Sequence, residues 1–232
     1  MEYILNTLTW ETELRNSPTT ISILGGTGKE GSGLALRWAK AGYRIIIGSR
    51  SAERAQHAAA EINAQLGIHT AQGMDNESAA RAGDIVVLTV PPEAQVATLE
   101  GVKSALKGKI LVDTTARVDA KDPHPPNGRA AAREAQRLVG SEVRVVAAFQ
   151  NVPAHALKKL DHELASDVLV CADDPEARAE VVRLAEAAGM QAYEAGGLDN
   201  AVVVEGLTAL IIAMNKRYKS KVGGIRVSGI TK

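Results

Sequence analysis

Three glycines, a serine and two arginines carry the clearest chemistry in this chain. The run Ile21-Ser22-Ile23-Leu24 leads straight into Gly25-Gly26-Thr27-Gly28-Lys29-Glu30-Gly31, a G-x-G-x-x-G pattern at Gly26, Gly28 and Gly31. Glycine-rich loops are common, but between an apolar strand and an amphipathic helix this pattern has a mechanism. Gly26 lets the chain turn tightly, Gly28 lets backbone approach a pyrophosphate, and Gly31 lets the helix pack close to the sheet. The pyrophosphate would rest on free N–H groups at the helix N-terminus, where the helix dipole favours negative charge. A plain glycine turn is the bland alternative, and the order strand, turn, helix argues against it.

A second apolar run, Tyr43-Arg44-Ile45-Ile46-Ile47-Gly48, follows the first helix and the turn glycine Gly42. At its end, 21 residues past Gly28, an NAD site would place Asp or Glu on the ribose 2′-hydroxyl. Here stand Ser49 and Arg50, with Arg54 one turn into the next helix. A carboxylate would repel a 2′-phosphate, whereas a hydroxyl and two guanidinium groups would bind it through charge-assisted hydrogen bonds. Two solvated surface arginines are the alternative. The missing acid and the added bases together point to NADP(H).

Hydride transfer between two carbon centres needs close approach and a dry site more than a proton relay. The sequence accordingly offers no persuasive acid–base pair and no assignable catalytic residue. His57, His69, His124, His155 and His162 read as solvated or structural, and no His/Cys/Asp/Glu cluster has metal-ligand spacing. Asp113, at the end of a strand-like run, reads as a loop cap before it reads as an acid. No serine sits in a G-x-S-x-G setting.

The elements that must position these groups follow from periodicity. Helical patterns cover Gly33–Ala41, Ala52–Leu66, Ala94–Leu106, Arg129–Leu138, Pro175–Ala188 and Asn200–Arg217, with a further helix start at Asp75. Strand-like runs cover Ile21–Leu24, Tyr43–Gly48, Asp84–Val90, Lys109–Asp113, Val143–Phe149 and Val168–Cys171, with a short segment near His69. This alternation predicts an α/β fold: a doubly wound parallel-sheet Rossmann domain with a smaller C-terminal domain ending in a buried helix. The expected boundaries are an N-terminal arm over 1–19, a nucleotide domain over 20–147, and a substrate-side and dimer-contact domain over 148–232. In such sheets ligands bind beyond the carboxyl ends of the strands, which puts Val90-Pro91 and Thr114-Thr115-Ala116 on the rim with Thr27 and Ser49. The segment Asp122-Pro123-His124-Pro125-Pro126-Asn127-Gly128 breaks regular structure.

Composition narrows the partners. Lysine plus arginine equals aspartate plus glutamate at 27 each, so no global field draws the chain to nucleic acid or a membrane surface. Aromatic residues make up 3%, too few to stack exposed bases. A lone cysteine, Cys171, excludes an intrachain disulfide and suits a reducing cytoplasm, as does a start without signal-peptide character. No uninterrupted apolar stretch reads as a membrane span. The last helix is apolar almost all round, which predicts a homodimer contact.

Five motifs in register give the chain a resemblance to the F420H2:NADP oxidoreductases. They are Gly25-Gly26-Thr27-Gly28, Gly48-Ser49-Arg50, Leu88-Thr89-Val90-Pro91, Val152-Pro153-Ala154 and Val204-Glu205-Gly206-Leu207-Thr208. The resemblance runs from Ile21 to about Ile225. It implies reversible hydride transfer between NADP(H) and coenzyme F420, a 5-deazaflavin co-substrate, by a dimeric enzyme. It further implies that Thr27, Gly28, Lys29 and Glu30 hold the pyrophosphate turn and that Ser49, Arg50 and Arg54 hold the 2′-phosphate. Val90, Ala116 and Ala154 would line the nicotinamide side, with Gly223 reaching in from the tail. Pro91, Gln150, Asn151 and Pro153 would meet the deazaflavin. Gln150 departs from the histidine of archaeal members, and Pro92 from a bulky aromatic in some. Lys216, Arg217, Lys219 and Lys221 either attract the anionic tail of F420 or form a solvated helix end. Two other readings stay open at this stage: an NADPH-dependent reductase of a small imine or carbonyl, and a non-catalytic NADP(H) sensor.

Overall fold

The computed structural model describes residues 19–230, so the arm expected over 1–19 lies, except for Thr19, outside the described residues. Strands β1 (Thr20–Leu24), β2 (Arg44–Ser49), β3 (Ala71–Asp75), β4 (Ile85–Leu88), β5 (Ile110–Asp113) and β6 (Arg144–Ala147) run parallel. With β7 (Val168–Ala172) and β8 (Ala192–Glu194) they form one sheet of order β3-β2-β1-β4-β5-β6-β7-β8. β7 pairs antiparallel with β6, and β8 then runs parallel to β7. The chain reverses direction once, after β6.

Helices α1 (Lys29–Lys40), α2 (Ala52–Leu66), α3 (Asn76–Ala82), α4 (Gln95–Val102), α5 (Ala131–Val139), α6 (Pro175–Ala187) and α7 (Ala201–Arg217) cover both faces. The central strands are apolar on both faces because helices lie on both sides, as a parallel sheet requires. Two buried layers result: one holds Ile21, Ile23, Leu34 and Trp38, the other Leu24, Val86, Leu88 and Leu111. Local signals set the helix starts. The Ser51 hydroxyl accepts from Arg54 N–H at the start of α2, and the Asp174 carboxylate accepts from Ala177 N–H at the start of α6, ahead of Pro175.

α1 is fixed to the C-terminal half by two polar side chains. Buried Arg37 donates from Nε to Leu157 O at 2.7 Å, from Nη1 to Ala188 O at 3.0 Å and from Nη2 to Lys159 O at 3.0 Å. Trp38 Nε1 donates to Leu184 O at 2.8 Å, and its ring meets Phe149 edge-on with centroids 5.8 Å apart. Phe149 has φ +75°, a left-handed conformation that a bulky residue holds only when its surroundings enforce it. That kink ends β6 two residues before the expected limit and swings Gln150 toward the sheet's carboxyl edge.

α7 bears on two expectations. Ala201, Val204, Glu205, Ala209 and Ile211 are buried, but Val203 and Leu210 are 63% and 53% exposed, so a single chain covers one face rather than most. The stretch Leu198–Arg217 is also long and apolar enough to cross a membrane by length and composition, which the reading of uninterrupted runs missed because Asp199 and Glu205 interrupt it. Here its inner face packs on the protein and Glu205 is wholly buried.

Candidate functional site

The turn after β1 is built for an anion. Gly25, at φ +72°, makes the left-handed bend, one residue before the glycine expected to do so. Gly26 N–H donates to Ile23 O and Gly48 O, closing the turn onto β2. Gly28 caps α1 with no side-chain acceptor, which leaves first-turn N–H groups for a bound phosphate. A Cβ at Gly31 would lie 2.5 Å from Thr89 Oγ1 and 2.7 Å from Gly26 Cα, so only glycine lets α1 sit this close to the strands. A Cβ at Gly28 would meet nothing nearer than Gly25 O at 3.4 Å. Gly28 borders open space, where a ligand approaches.

That space is a cleft of about 900 Å³ along the carboxyl ends of β1, β2, β4, β5 and β6. Thr27, Gly28, Lys29 and Glu30 line the end beside the glycine turn. Ser49, Arg50 and Arg54 stand at the β2 end, Ser49 buried and accepting from Ser51 N–H at 3.2 Å, both arginines exposed. Val90, Pro91, Ala116, Gln150 and Ala154 line the far end, together with Pro92.

Three predicted residues fall elsewhere. Asn151 is buried and donates from Nδ2 to Ser166 Oγ at 3.2 Å and to Asp167 O at 2.8 Å, which turns it away from the cleft. Pro153 borders a separate pocket of about 220 Å³ beside Val222. Gly223 N–H donates to Asn215 Oδ1 at 3.1 Å, holding the tail against α7. Sequence reasoning missed Asn76, Thr89, Thr98 and Val152 as cleft residues. Asn76 Oδ1 accepts from Gly25 N–H at 3.4 Å and Thr89 Oγ1 donates to Leu24 O at 3.0 Å, so both brace the glycine turn. Their signal was a polar residue just past a strand end.

The polar floor suits a ligand with amide and hydroxyl groups. Gln150 donates from Nε2 to Asp113 O at 2.9 Å, while its buried Oε1 has no partner. Buried polar atoms left unpaired cost stability unless something binds them. Asp113 is fully buried, accepting from Gln95 Nε2 at 2.5 Å and from Thr115 N–H at 3.0 Å. Burial pushes its carboxyl above the usual range, and its place is that of the loop cap expected from sequence. Among the described residues no group of His, Cys, Asp or Glu could hold a metal ion.

Glu30 lies in the cleft, in the first turn of α1. Desolvation pushes its carboxyl up from 4.5 to about 8, against the pull of a Thr114 hydrogen bond and with the nearby Asp113 charge adding to the rise. The rise favours the protonated form, which lessens the repulsion an anion would meet there. The folded state holds a proton that the unfolded chain releases, so this group's stabilising contribution is full below pH 4.5 and falls as pH rises toward 8. Glu30→Gln is thus expected to melt several degrees above the parent at pH 8–9, with the advantage gone below about pH 4.5. Thermal scans across that range would show it, and a constant difference at every pH would rule the linkage out.

Residues 20–117 match the family described as NADP oxidoreductase, coenzyme F420-dependent. The chain is 42% identical over 222 residues to the F420-dependent NADP reductase of Methanocaldococcus jannaschii, covering 90% of this chain and 98% of that protein. It is 39% identical over 220 residues to the enzyme of the same name from Methanothermobacter thermautotrophicus, covering 90% and 95%. A crystal structure from Arthrobacter sp. FB24, described as a candidate F420-dependent NADP reductase, superposes with a TM-score of 0.75 at 25% identity, covering 90% of this chain and 99% of that one. With relatives this similar matched over nearly their whole length, the chain belongs to the F420-dependent NADP reductase family.

Proposed function

We propose that the protein transfers hydride reversibly between NADP(H) and coenzyme F420. The observation that carries this is a single cleft with a phosphate-binding glycine turn and two arginines at one end and an apolar, proline-lined far end. The family relationship supplies the identity of the acceptor. When bound, the two coenzymes supply the donor and acceptor carbons. The protein's part is placement. The α1 N-terminus holds the pyrophosphate, and Ser49, Arg50 and Arg54 select the 2′-phosphate. Val90, Pro91, Ala116 and Ala154 exclude water from the far end, and Gln150 Oε1 accepts from an amide N–H there. No side chain need move a proton in the hydride step. Asp113, the acid that the sequence offered for reduction of an imine or carbonyl, has both oxygens accepting hydrogen bonds and does not line the cleft. Mixing the protein, NADPH and F420 and following the deazaflavin absorbance tests the reading; no turnover in either direction would refute it.

Residues 148–232 are read as the acceptor-side and dimer-contact unit. The support is the uncovered face of α7, where Val203, Leu210 and Met214 are exposed beside Tyr218. A two-fold partner would bury such a face, at about 25 cal/mol per Å² of apolar area. Leu210→Glu is expected to shift a dimer to monomer in sedimentation at micromolar concentration, or to leave the protein insoluble. A parent that is monomeric and fully active would show that the face needs no partner. The same reading keeps the protein in the cytoplasm, away from nucleic acid and membrane, consistent with its balanced charge and lone buried thiol.

A further inference from the structure

Glu205 is an anomaly. It is wholly buried, on a helix whose other buried residues are all apolar, and takes no part in the chemistry above. A buried carboxylate is kept only where its hydrogen bonds compensate for lost solvation. Its two oxygens reach opposite ends of one excursion of the chain. Oε1 accepts from Ala131 N–H at 2.6 Å, where α5 begins without a side-chain cap of its own. Oε2 accepts from Arg117 N–H at 3.3 Å and lies 3.7 Å from Arg117 Nε. Arg117 directly follows Thr114, Thr115 and Ala116, which form one wall of the cleft. The proline-rich segment between these two anchors packs back on the same helix, with Pro125 Cβ 3.7 Å from where a Cβ of Gly206 would be.

One turn further along α7, the Thr208 hydroxyl donates to Gln150 O at 2.9 Å. Gln150 belongs to the facing wall, after β6. Residues three apart share a helix face, so a single face of α7 grips both walls at the far end of the cleft. Capping α5 alone would explain the bond to Ala131. It does not explain why the same carboxylate also takes Arg117 N–H, or why Thr208 holds the opposite wall.

We infer that Glu205 is a positioning residue for hydride transfer, acting with Thr208 to fix the spacing of the two walls that enclose the nicotinamide ring. The inference rests on the NADP(H)–F420 reading for the identity of the reaction, but its first readout needs NADPH alone. Glu205→Gln keeps the shape and turns an NH₂ group toward one of the two N–H donors, breaking one tie. Thr208→Val breaks the other. Neither touches the phosphate end, so the Kd for NADPH should stay within about threefold of the parent. The bound nicotinamide should become mobile, seen as a shortened NADPH fluorescence lifetime in the binary complex. Single-turnover hydride transfer to F420 should slow on the order of 10–100-fold, because small misplacements of reacting atoms carry such losses. Its deuterium isotope effect should become more temperature-dependent.

If Glu205→Gln does not fold, Thr208→Val carries the test alone. Variants that melt lower yet keep the parent's lifetime and isotope effect would overturn the inference in favour of a purely structural role. So would a parent whose bound nicotinamide is as mobile as free coenzyme. Failure of the acceptor reading shows differently: a parent that immobilises NADPH but reduces no F420, in which case the lifetime of the variants still decides.

Discussion

Replacing Arg50 and Arg54 together by alanine is expected to weaken NADPH binding by roughly 30–1,000-fold and to leave NADH within about threefold of the parent. Each lost charge-assisted contact to the 2′-phosphate is worth about 1 kcal/mol where solvent screens it and about 2 kcal/mol where ligand and protein partly bury it. Both side chains are exposed before nucleotide binds, and only Ser49 is buried, which favours the lower part of that range. Calorimetric titration with both nucleotides separates the outcomes. Added salt should weaken NADPH binding more steeply in the parent than in the double variant, since the removed charges are the screened ones. Equal losses for the two nucleotides would mean that the arginines support the start of α2 instead of reading the phosphate.

Arg37→Leu is expected to lower the free energy of unfolding by about 3–5 kcal/mol. The guanidinium satisfies the carbonyls of Leu157, Lys159 and Ala188 at once; leucine leaves those of Leu157 and Ala188 without a partner, while Lys159 O keeps the N–H of His162. Arg37→Lys should fall between leucine and the parent, because an ammonium lacks the planar fork that reaches three acceptors in fixed directions. Urea titrations give the ranking. A loss under about 1 kcal/mol for leucine would show that water enters and replaces the guanidinium.

Much of this molecule was legible in the sequence, for particular reasons. The first two strands were read to within a residue, because apolar runs and glycine punctuation coincide there; the helix between them was found from its 3.6-residue period but read from Gly33, four residues after its start at Lys29. α2 runs over Ala52–Leu66 as read, held between the Ser51 cap and Gly67. The cleft residues Thr27, Ser49, Arg50 and Arg54 followed from spacing alone, because the turn and the end of β2 are adjacent in any such fold. β8 was missed: Ala192-Tyr193-Glu194 is too short to show alternation. The expected helix over Ala94–Leu106 divides into 3₁₀ turns around α4, which composition does not report. Asn151, Pro153 and Gly223 were named by resemblance, and their side-chain and tail contacts depend on Ser166, Val222 and Asn215, partners that no local pattern identifies. Glu205 was visible only as part of a motif; its two bonds span 88 and 74 positions of chain.

The reversal after β6 has an evolutionary consequence. Because β7 returns antiparallel, the connection between the two strands, residues 148–167, leaves and re-enters the sheet at the same edge, where Gln150, Val152 and Ala154 face the cleft. A parallel strand would have forced that connection to cross the whole sheet and carry a helix. Here the connection is free of that duty but is pinned by Arg37 and Trp38 at Leu157, Lys159 and Phe149, so the acceptor wall is remodelled most cheaply by side-chain changes at Gln150, Val152 and Ala154, while the glycine turn and the β2 end stay untouched. Descendants of such a chain can trade one hydride acceptor for another without relearning how to hold the nucleotide.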